Sequence, residues 1–437
     1  MPVIPSGPCS KINVQNIFVQ GSCDAVLLAW NHMDSFNKKE RSIWSKRCSV
    51  QGVELDALTF VDNIFEVVKT QYDLLLSSAR SEVFQNETRL SFKSPKCKIV
   101  VMNQSEHIED DIGGIKLEQV KHHEYLGTFI SEDGSRNKEI ESRISEGKSV
   151  SNEIVQVLKT TELSRVRLKY VKMLSNACLD GKVKYGCAVW SKLKSGHEKE
   201  LNNLKVKVMK RVLELSYSTP SSGVKYEFGL TDMNLDCMIE KVILAYTTLK
   251  TEGIARDLLK KMMENKVPGF CVEVLQALEI LGLKEDSEVL MKEGHEMRQL
   301  LKSKIVEIQS EKLVEMMLNE SKCDRLLLHN FQFDGKMKKY LVDLPFEEAR
   351  VVFMLRVRMF PTRDNFKGRW GSDECTYCGC CESDIHLFSC VGYNDLLGNV
   401  KFEMFMTLDA TVDELSAGAK KLLLVVDRLE LFNGSNK

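Results

Sequence analysis

The sequence lacks several features that would assign it at once to a broad class of protein. No run of apolar residues approaches the length of about 18 that a membrane-spanning helix needs, so no membrane partner is expected. Residues 1–8 include three prolines and no basic residue, which argues against a secretory signal and favours an intracellular location, cytoplasmic or nuclear. Net charge is lacking too, since 61 Lys and Arg stand against 62 Asp and Glu. That balance excludes a disordered or collagen-like chain and argues at first sight against nucleic-acid binding.

The near-zero net charge conceals an uneven distribution. Residues 136–215 contain 18 Lys and Arg but 9 Asp and Glu, a local net charge of +9, and the remainder of the chain carries −10. A helical block with such an excess could follow a phosphate backbone by displacing its condensed counterions. The alternative is a set of solvated helix faces whose positive charge is balanced by acidic neighbours. Composition alone leaves both interpretations open.

Hydrophobic patterning changes near residue 135. Residues 1–19 have little periodicity, whereas 20–135 mix short β-rich runs with a helical stretch, as in an α+β domain. Within that region Tyr125–Ile130 is predicted as one strand of a hairpin. Beyond it, apolar residues recur at helical spacing. In the first of these predicted helices they are Ile140, Ile144, Ile154, Val157 and Leu158.

Five of the fourteen cysteines lie between residues 375 and 390, where a metal-ligand spacing occurs. The candidate ligands are Cys375, Cys378, His386 and Cys390, which form C-x2-C-x7-H-x3-C. A C-x2-C turn directs two thiolates to one point, and residues four apart on a helix share a face. Because protein fills all four positions, the pattern predicts a structural zinc site. Two alternatives remain: a cysteine-rich loop without metal, and competition for the Cys378 position by Cys380 or Cys381.

A second motif, Phe60-Val61-Asp62-Asn63, ends an apolar strand in a tight turn with a carboxylate at its tip. Such a turn can hold a carboxylate towards a metal ion. Most aspartates in turns, however, only stabilise the turn. The motif alone therefore gives Asp62 two interpretations.

In their order along the chain, these motifs resemble those of a known family, the reverse transcriptases of non-LTR (LINE-type) retrotransposons. The similar segments are Gln20–Leu28, Phe60–Asn63, Ser94–Met102, Tyr125–Gly127, Val189–Trp190 and Phe353–Gly368. In the family the corresponding segments are a glycine-containing motif, an aromatic-alanine-Asp-Asp turn, a lysine-bearing strand, the primer-grip hairpin, the thumb, and the region before a C-terminal zinc knuckle. The resemblance covers residues 20–430.

The resemblance implies an α+β partial polymerase palm followed by mainly α-helical regions and a small zinc knuckle. The implied regions are a lead-in at 1–19, the palm at 20–135, a helical thumb at 136–235, a helical connector at 236–345 and the zinc-knuckle region at 346–437. It also implies a structural Zn²⁺ ion in that last region.

Asp62 and Lys96 would be remnants of the family's catalytic site. Polymerases of the family hold two Mg²⁺ ions chiefly with the turn aspartate and with one on an earlier palm strand. Here the residues before Gln20 include no Asp or Glu, and Asn63 cannot supply a full negative charge. The resemblance thus implies a truncated, inactive RNA-directed DNA polymerase, which would bind Mg²⁺ only if an upstream segment completed the palm.

Binding of RNA or DNA is the activity that such a protein would retain. The expected contacts are Gln20, Gly21, Tyr125, Gly127, Arg165, Arg167, Lys169, Arg356, Arg358, Lys367 and Arg369. The alternative is a non-catalytic structural or interaction protein, or a decayed open reading frame, without nucleic-acid affinity. Nothing in the sequence indicates the oligomeric state.

Overall fold

The computed structural model describes residues 48–55, 57–60, 63–88, 91–92, 96–102, 111–112, 115–160, 168–283, 294–320, 322–329, 331–366 and 371–434. Small sheets come first in this described chain, and helices make up most of the remainder. That order agrees with the expected change from an α+β region to mainly α-helical regions.

Strands pair only in twos within the described residues. They are β1 (Cys48–Val50), β2 (Val53–Leu55), β3 (Leu58–Phe60), β4 (Asn63–Phe65), β5 (Lys98–Ile99), β6 (Asp111–Ile112), β7 (Ile115–Lys116), β8 (Glu118–Gln119), β9 (His122–Tyr125) and β10 (Thr128–Ser131). β1–β2, β3–β4 and β6–β7 are antiparallel pairs, β5–β8 is parallel, and β9 pairs with β10. No sheet of three or more strands forms in the described part.

The prediction that Tyr125–Ile130 forms a single strand is wrong. A two-residue turn at Leu126 and Gly127 divides it, so that β9 ends and β10 begins inside the predicted strand. Both turn residues have positive φ, +48° and +76°, which is the type I′ geometry that suits a right-twisted hairpin. Glycine adopts this conformation without cost, whereas a leucine there is strained.

In the described part of the chain, helix α1 (Gln71–Thr88) lies among the strands, and the other helices follow from residue 137 onwards. They are α2 (Asn137–Thr160), α3 (Lys169–Leu174), α4 (Gly181–Val183), α5 (Ser195–Val212), α6 (Ser221–Phe228), α7 (Met233–Lys250), α8 (Ile254–Glu264), α9 (Phe270–Ile280), α10 (Gly294–Asn319), α11 (Asp324–Leu328), α12 (Lys339–Asp343), α13 (Phe346–Arg356), α14 (Asp384–Leu387), α15 (Asn394–Leu397), α16 (Phe402–Thr407) and α17 (Val412–Gly434). A π-helical segment, Ser175–Asp180, joins α3 to α4, and 3₁₀ turns occupy Cys187–Val189 and Val391–Tyr393.

Helix α2 has the amphipathic face that its sequence predicts, with one exception. Ile140, Ile144, Ile154 and Leu158 are buried, but Val157 is 49% exposed. At about 100° per residue, Val157 lies roughly 100° away from the direction that Ile140 and Leu158 share. It therefore falls outside the buried stripe although its type and spacing resemble those of a core residue.

The chain divides into two compact units. One contains the described residues up to Glu124 together with 130–134 and 252–264, and the other contains 125–129, 135–251 and 265–434. In the larger unit a single hydrophobic core includes side chains from α2, α5, α6, α12, α13, α16 and α17. The regions expected as thumb, connector and zinc-knuckle region all contribute to that core, so they are not independently packed.

Among the described residues, no helix combines the length and the apolar character needed to cross a bilayer.

Candidate metal centre and nucleic-acid interface

The four predicted metal ligands come together in the larger unit. The donor atoms of Cys375, Cys378, His386 and Cys390 all lie within 4.8 Å of one another. The Cys390 sulfur is 3.7 Å from that of Cys375 and 3.8 Å from that of Cys378, and the Cys378 sulfur is 3.3 Å from His386 Nε2. With Zn–S bonds of about 2.3 Å, tetrahedral geometry places two sulfurs about 3.8 Å apart. The site therefore has the dimensions of a Cys3His metal centre.

Local backbone bonds bring the first two ligands into position. The Gly379 N–H donates to the Cys375 carbonyl (2.9 Å), and the Cys375 N–H donates to the Cys380 carbonyl (2.7 Å). Gly379 has a φ of +72°, a conformation that glycine adopts without cost. This tight turn directs the side chains of Cys375 and Cys378 to one point.

A capped helical turn supplies the other two ligands. The Ser383 hydroxyl accepts from the His386 N–H (3.2 Å) and so caps the short helix α14. The Cys390 N–H donates to the His386 carbonyl (2.9 Å), which closes one helical turn between the two ligands. The i, i+4 arrangement expected from the sequence is therefore present, although Cys390 itself lies beyond the end of α14.

Burial distinguishes the thiols of this site. Cys375 and Cys390 are buried, whereas Cys378 is exposed. Burial raises the pKa of the Cys390 thiol to about 12. The pKa of Cys378 is lowered, chiefly because the Cys380 N–H donates to its sulfur. A divalent cation would offset the cost of burying thiolates, and its binding would release their protons.

Two buried carboxylates support the segment that carries His386. Asp384 is fully buried and accepts from Arg325 Nη1 (2.7 Å) and Asn365 Nδ2 (2.7 Å). Glu382 accepts from the Tyr393 hydroxyl (3.1 Å). Burial raises the pKa of both carboxyl groups. These bonds connect the Cys3His cluster to the packed core beneath it.

Cys380 and Cys381 are exposed and stand outside the four-ligand group. Cys381 instead lies within 4.8 Å of the carboxylate oxygens of Asp364 and Asp373. Arg358 Nη2 is 3.4 Å from the Asp364 carboxylate, so a cation is already present at that second cluster. Cys378 is thus the ligand that the geometry favours.

The residues expected from a polymerase are not assembled into a site in the described chain. Asp62, Gln20 and Gly21 lie outside the described residues. Lys96 is exposed, and Asn63 begins β4 with its side-chain amide 3.5 Å from the Phe60 carbonyl. β3 pairs with β4 with Phe60 opposite Asn63, and the expected turn residues between them lie outside the described residues.

The predicted contacts Tyr125 and Gly127 belong to a hairpin tip that is held by the larger unit. The Gly127 carbonyl accepts from Arg143 Nη2, and the Leu126 carbonyl accepts from the Tyr185 hydroxyl (2.7 Å). A β-carbon at Gly127 would lie 3.3 Å from the Tyr185 ring. Tyr125 is half-buried, and burial raises the pKa of its hydroxyl. The turn is therefore fixed by side chains from outside the hairpin.

The expected contact at Arg356 is wrong. Its side chain is 2% exposed, donates to Glu227 Oε1 (2.8 Å), and donates to the carbonyls of Phe405 and Met406 (both 2.6 Å). Because every one of these partners is internal, Arg356 holds α13 to α6 and α16 and does not reach a ligand in solvent. Arg358, for which the same contact was expected, is only partly exposed and pairs with Asp364.

The other expected contacts are either outside the described residues or partly exposed. Arg165, Arg167, Lys367 and Arg369 lie outside them. Lys169 is partly exposed, with its Nζ 5.1 Å from the centre of the Tyr170 ring.

The basic block contains both paired and unpaired cations. Five have acidic partners: Arg143, Lys148, Lys182, Lys184 and Lys205. Six other exposed lysines form no ion pair in the part of the chain that the structure describes: Lys138, Lys159, Lys192, Lys194, Lys199 and Lys207. The balanced-charge interpretation therefore applies to only part of the block.

Helix α5 and the loop after it present a basic surface that the expected contacts missed. Lys199, Lys207 and Arg211 are exposed at spacings of eight and four residues, which places them on one face of α5. Tyr217, in the following loop, is 88% exposed. Their spacing in multiples of four residues was visible in the sequence, but nothing in the sequence distinguished these exposed cations from the buried Lys205.

Comparison of the chain with protein-family models, with curated proteins and with solved structures found no match.

Proposed function

We propose that this chain is a reverse-transcriptase-like protein related to non-LTR retrotransposons, that it binds RNA or DNA, and that it does not polymerise. The main support is the set of exposed lysines that form no ion pair in the described part of the basic block, together with Arg211 on α5. Cations in this state can neutralise phosphates and release counterions at no cost in broken ion pairs. The remaining support is the motif order in the sequence.

The proposed structural metal is zinc. Three thiolates and one imidazole at tetrahedral separations suit Zn²⁺ better than the oxygen-preferring Mg²⁺ or Ca²⁺. Because all four donors come from protein, no position remains for substrate. The ion would fix the segment between Cys375 and Cys390, and its role would be to stabilise the fold there.

Absence of polymerase activity is proposed because the motif offers one carboxylate, Asp62, and an amide at Asn63. Two Mg²⁺ ions require several oxygen ligands and more negative charge than one aspartate supplies. Primer extension with Mg²⁺ or Mn²⁺ should therefore give no incorporation. Incorporation that is lost in Asp62→Ala would refute this part of the proposal.

Salt dependence of binding tests the nucleic-acid proposal. Affinity for a labelled single-stranded oligonucleotide, measured by fluorescence anisotropy, should fall steeply as salt rises. The double variant Lys199→Gln, Lys207→Gln should reduce the log–log slope by about 1.4, since each phosphate contact on a single strand contributes about 0.7. The matched control is Lys302→Gln, Lys401→Gln, two exposed lysines outside the block.

An unchanged slope in the α5 variant, or an equal change in the control, would contradict the assignment of this surface. Absence of binding at low salt would overturn the nucleic-acid proposal and favour an interaction protein.

A further inference from the structure

Tyr217 is the most exposed aromatic side chain among the described residues, at 88%, followed by Tyr72 at 62%. A ring in this state contributes almost no hydrophobic stabilisation to the fold, because stabilisation scales with the apolar area removed from water. Its exposure therefore has no explanation in the stability of this unit.

The loop that carries Tyr217 is nevertheless well ordered by hydrogen bonds. Lys210 Nζ donates to the Tyr217 carbonyl (3.2 Å), and the Thr219 N–H donates to the Ser216 carbonyl (3.0 Å). The hydroxyls of Ser216 and Ser218 are 2.8 Å apart. Thr219, which follows, is 2% exposed and anchors the end of the loop. The backbone is thus fixed while the ring extends into solvent.

One cation lies close to the ring, and two more are exposed on the helix that precedes it. Lys210 Nζ lies 5.8 Å from the ring centre, and Lys207 and Arg211 are exposed on the last turns of α5. Arg211 uses one guanidinium N–H on the Asn152 side-chain oxygen (2.5 Å), which leaves donors free. Glu214 is exposed in the same stretch and Glu320 acts electrostatically on Lys210, so acidic groups offset part of this positive charge.

An ordered, exposed aromatic ring close to cations suits one class of ligand. Unpaired nucleobases stack on such rings, while the adjacent cations bind the phosphates on either side. Paired bases inside a duplex do not offer a free face. We propose that Tyr217 stacks on an unpaired base of the bound strand, and that this surface therefore prefers single-stranded nucleic acid to duplex. The inference rests on the proposed nucleic-acid binding and specifies its substrate.

The test compares Tyr217→Ala, Tyr217→Phe and the control Tyr72→Ala in the full chain. Each is titrated with a short labelled single strand and with the corresponding duplex at one fixed low salt concentration. Tyr217→Ala should weaken single-strand binding by about tenfold, the typical loss for one base–aromatic stack, and should leave duplex binding unchanged. Tyr217→Phe and Tyr72→Ala should bind both as the unmodified protein does.

A second readout reports stacking directly. The fluorescence of 2-aminopurine placed in the single strand should be quenched by the unmodified protein and by Tyr217→Phe, and less by Tyr217→Ala. If the unmodified protein binds but Tyr217→Ala binds equally well, the stacking inference is overturned and the proposed function stands. If the unmodified protein binds neither strand, the proposed function fails and this inference with it.

Discussion

Replacing Arg356 with methionine should destabilise the larger unit severely. The substitution removes the guanidinium from Glu227, whose side chain is fully buried, and leaves that carboxylate without its cation. Breaking a buried pair by removing one partner costs about 3 to 5 kcal/mol. The carbonyls of Phe405 and Met406 lose their donor as well. We therefore expect the free energy of unfolding to fall by at least about 4 kcal/mol.

The double variant Arg356→Met, Glu227→Leu separates the cost of the unpaired Glu227 carboxylate from the cost of the two carbonyls that lose their donor. It removes the orphaned charge together with its partner, so it should recover most of the loss and differ from the unmodified protein mainly by the two unpaired carbonyls. Urea denaturation followed by circular dichroism measures all four members of the cycle. A coupling energy of about 2 to 3 kcal/mol is expected for such a contacting pair.

Two results would refute this reasoning. One is a loss below about 1 kcal/mol in Arg356→Met, the range of an exposed arginine. The other is a double variant as unstable as the sum of the single variants. The same proteins also test the corrected role of Arg356: the folded double variant should bind nucleic acid as the unmodified protein does, because the side chain has no access to ligand.

Two further predictions concern the metal centre and a buried lysine. Purified protein should contain about one zinc per chain by elemental analysis. The variant Cys378→Ser should lose the zinc and Cys380→Ser should keep it. The reverse result would show that Cys380, and not Cys378, is the ligand. Lys172 Nζ donates to the carbonyls of Phe228 (2.8 Å) and Gly229 (3.0 Å), and burial lowers its pKa from 10.5 to about 8. The unfolded chain then binds more protons than the folded one between pH 8 and 10.5, so Lys172 should raise stability as pH increases through that window. Allowing for its partial exposure, the gain should be about 2 kcal/mol, and a Lys172→Met variant should lack this increment in pH-dependent urea denaturation.

The Cys3His cluster could be predicted from sequence because its geometry is almost entirely local. All four ligands lie within Cys375–Cys390, and short-range backbone bonds at Gly379 and His386 orient them. Residue spacing therefore carries most of the necessary information. Spacing did not decide which of Cys378, Cys380 and Cys381 is the ligand. That choice depends on which sulfur the turn directs towards the other three ligands.

Partners distant in sequence could not be predicted in the same way. Glu227 lies 129 positions before Arg356, so the sequence around Arg356 gave no indication that a buried carboxylate faces it. The same limit applies to the hairpin tip at Gly127, which is held by Arg143 in α2 and by Tyr185 in the turn after α4. Local patterns predicted element types, but the contacts that decide exposure are long-range.

The charge composition of a segment says more about its surface once the residues that form ion pairs are subtracted. Within residues 136–215, 9 acidic residues can neutralise at most 9 of the 18 basic ones, so an excess must stay unpaired unless acids from elsewhere approach. Such acids do approach, since Asp236 lies 3.4 Å from Lys184, and Asp334 and Glu320 act electrostatically on Lys172 and Lys210. Buried pairs such as Lys205 with Asp180 remove one charge of each sign and leave the excess unchanged. The excess therefore resides on solvent-facing cations such as Lys199 and Lys207, and a chain with no net charge can still present a surface suited to a polyanion.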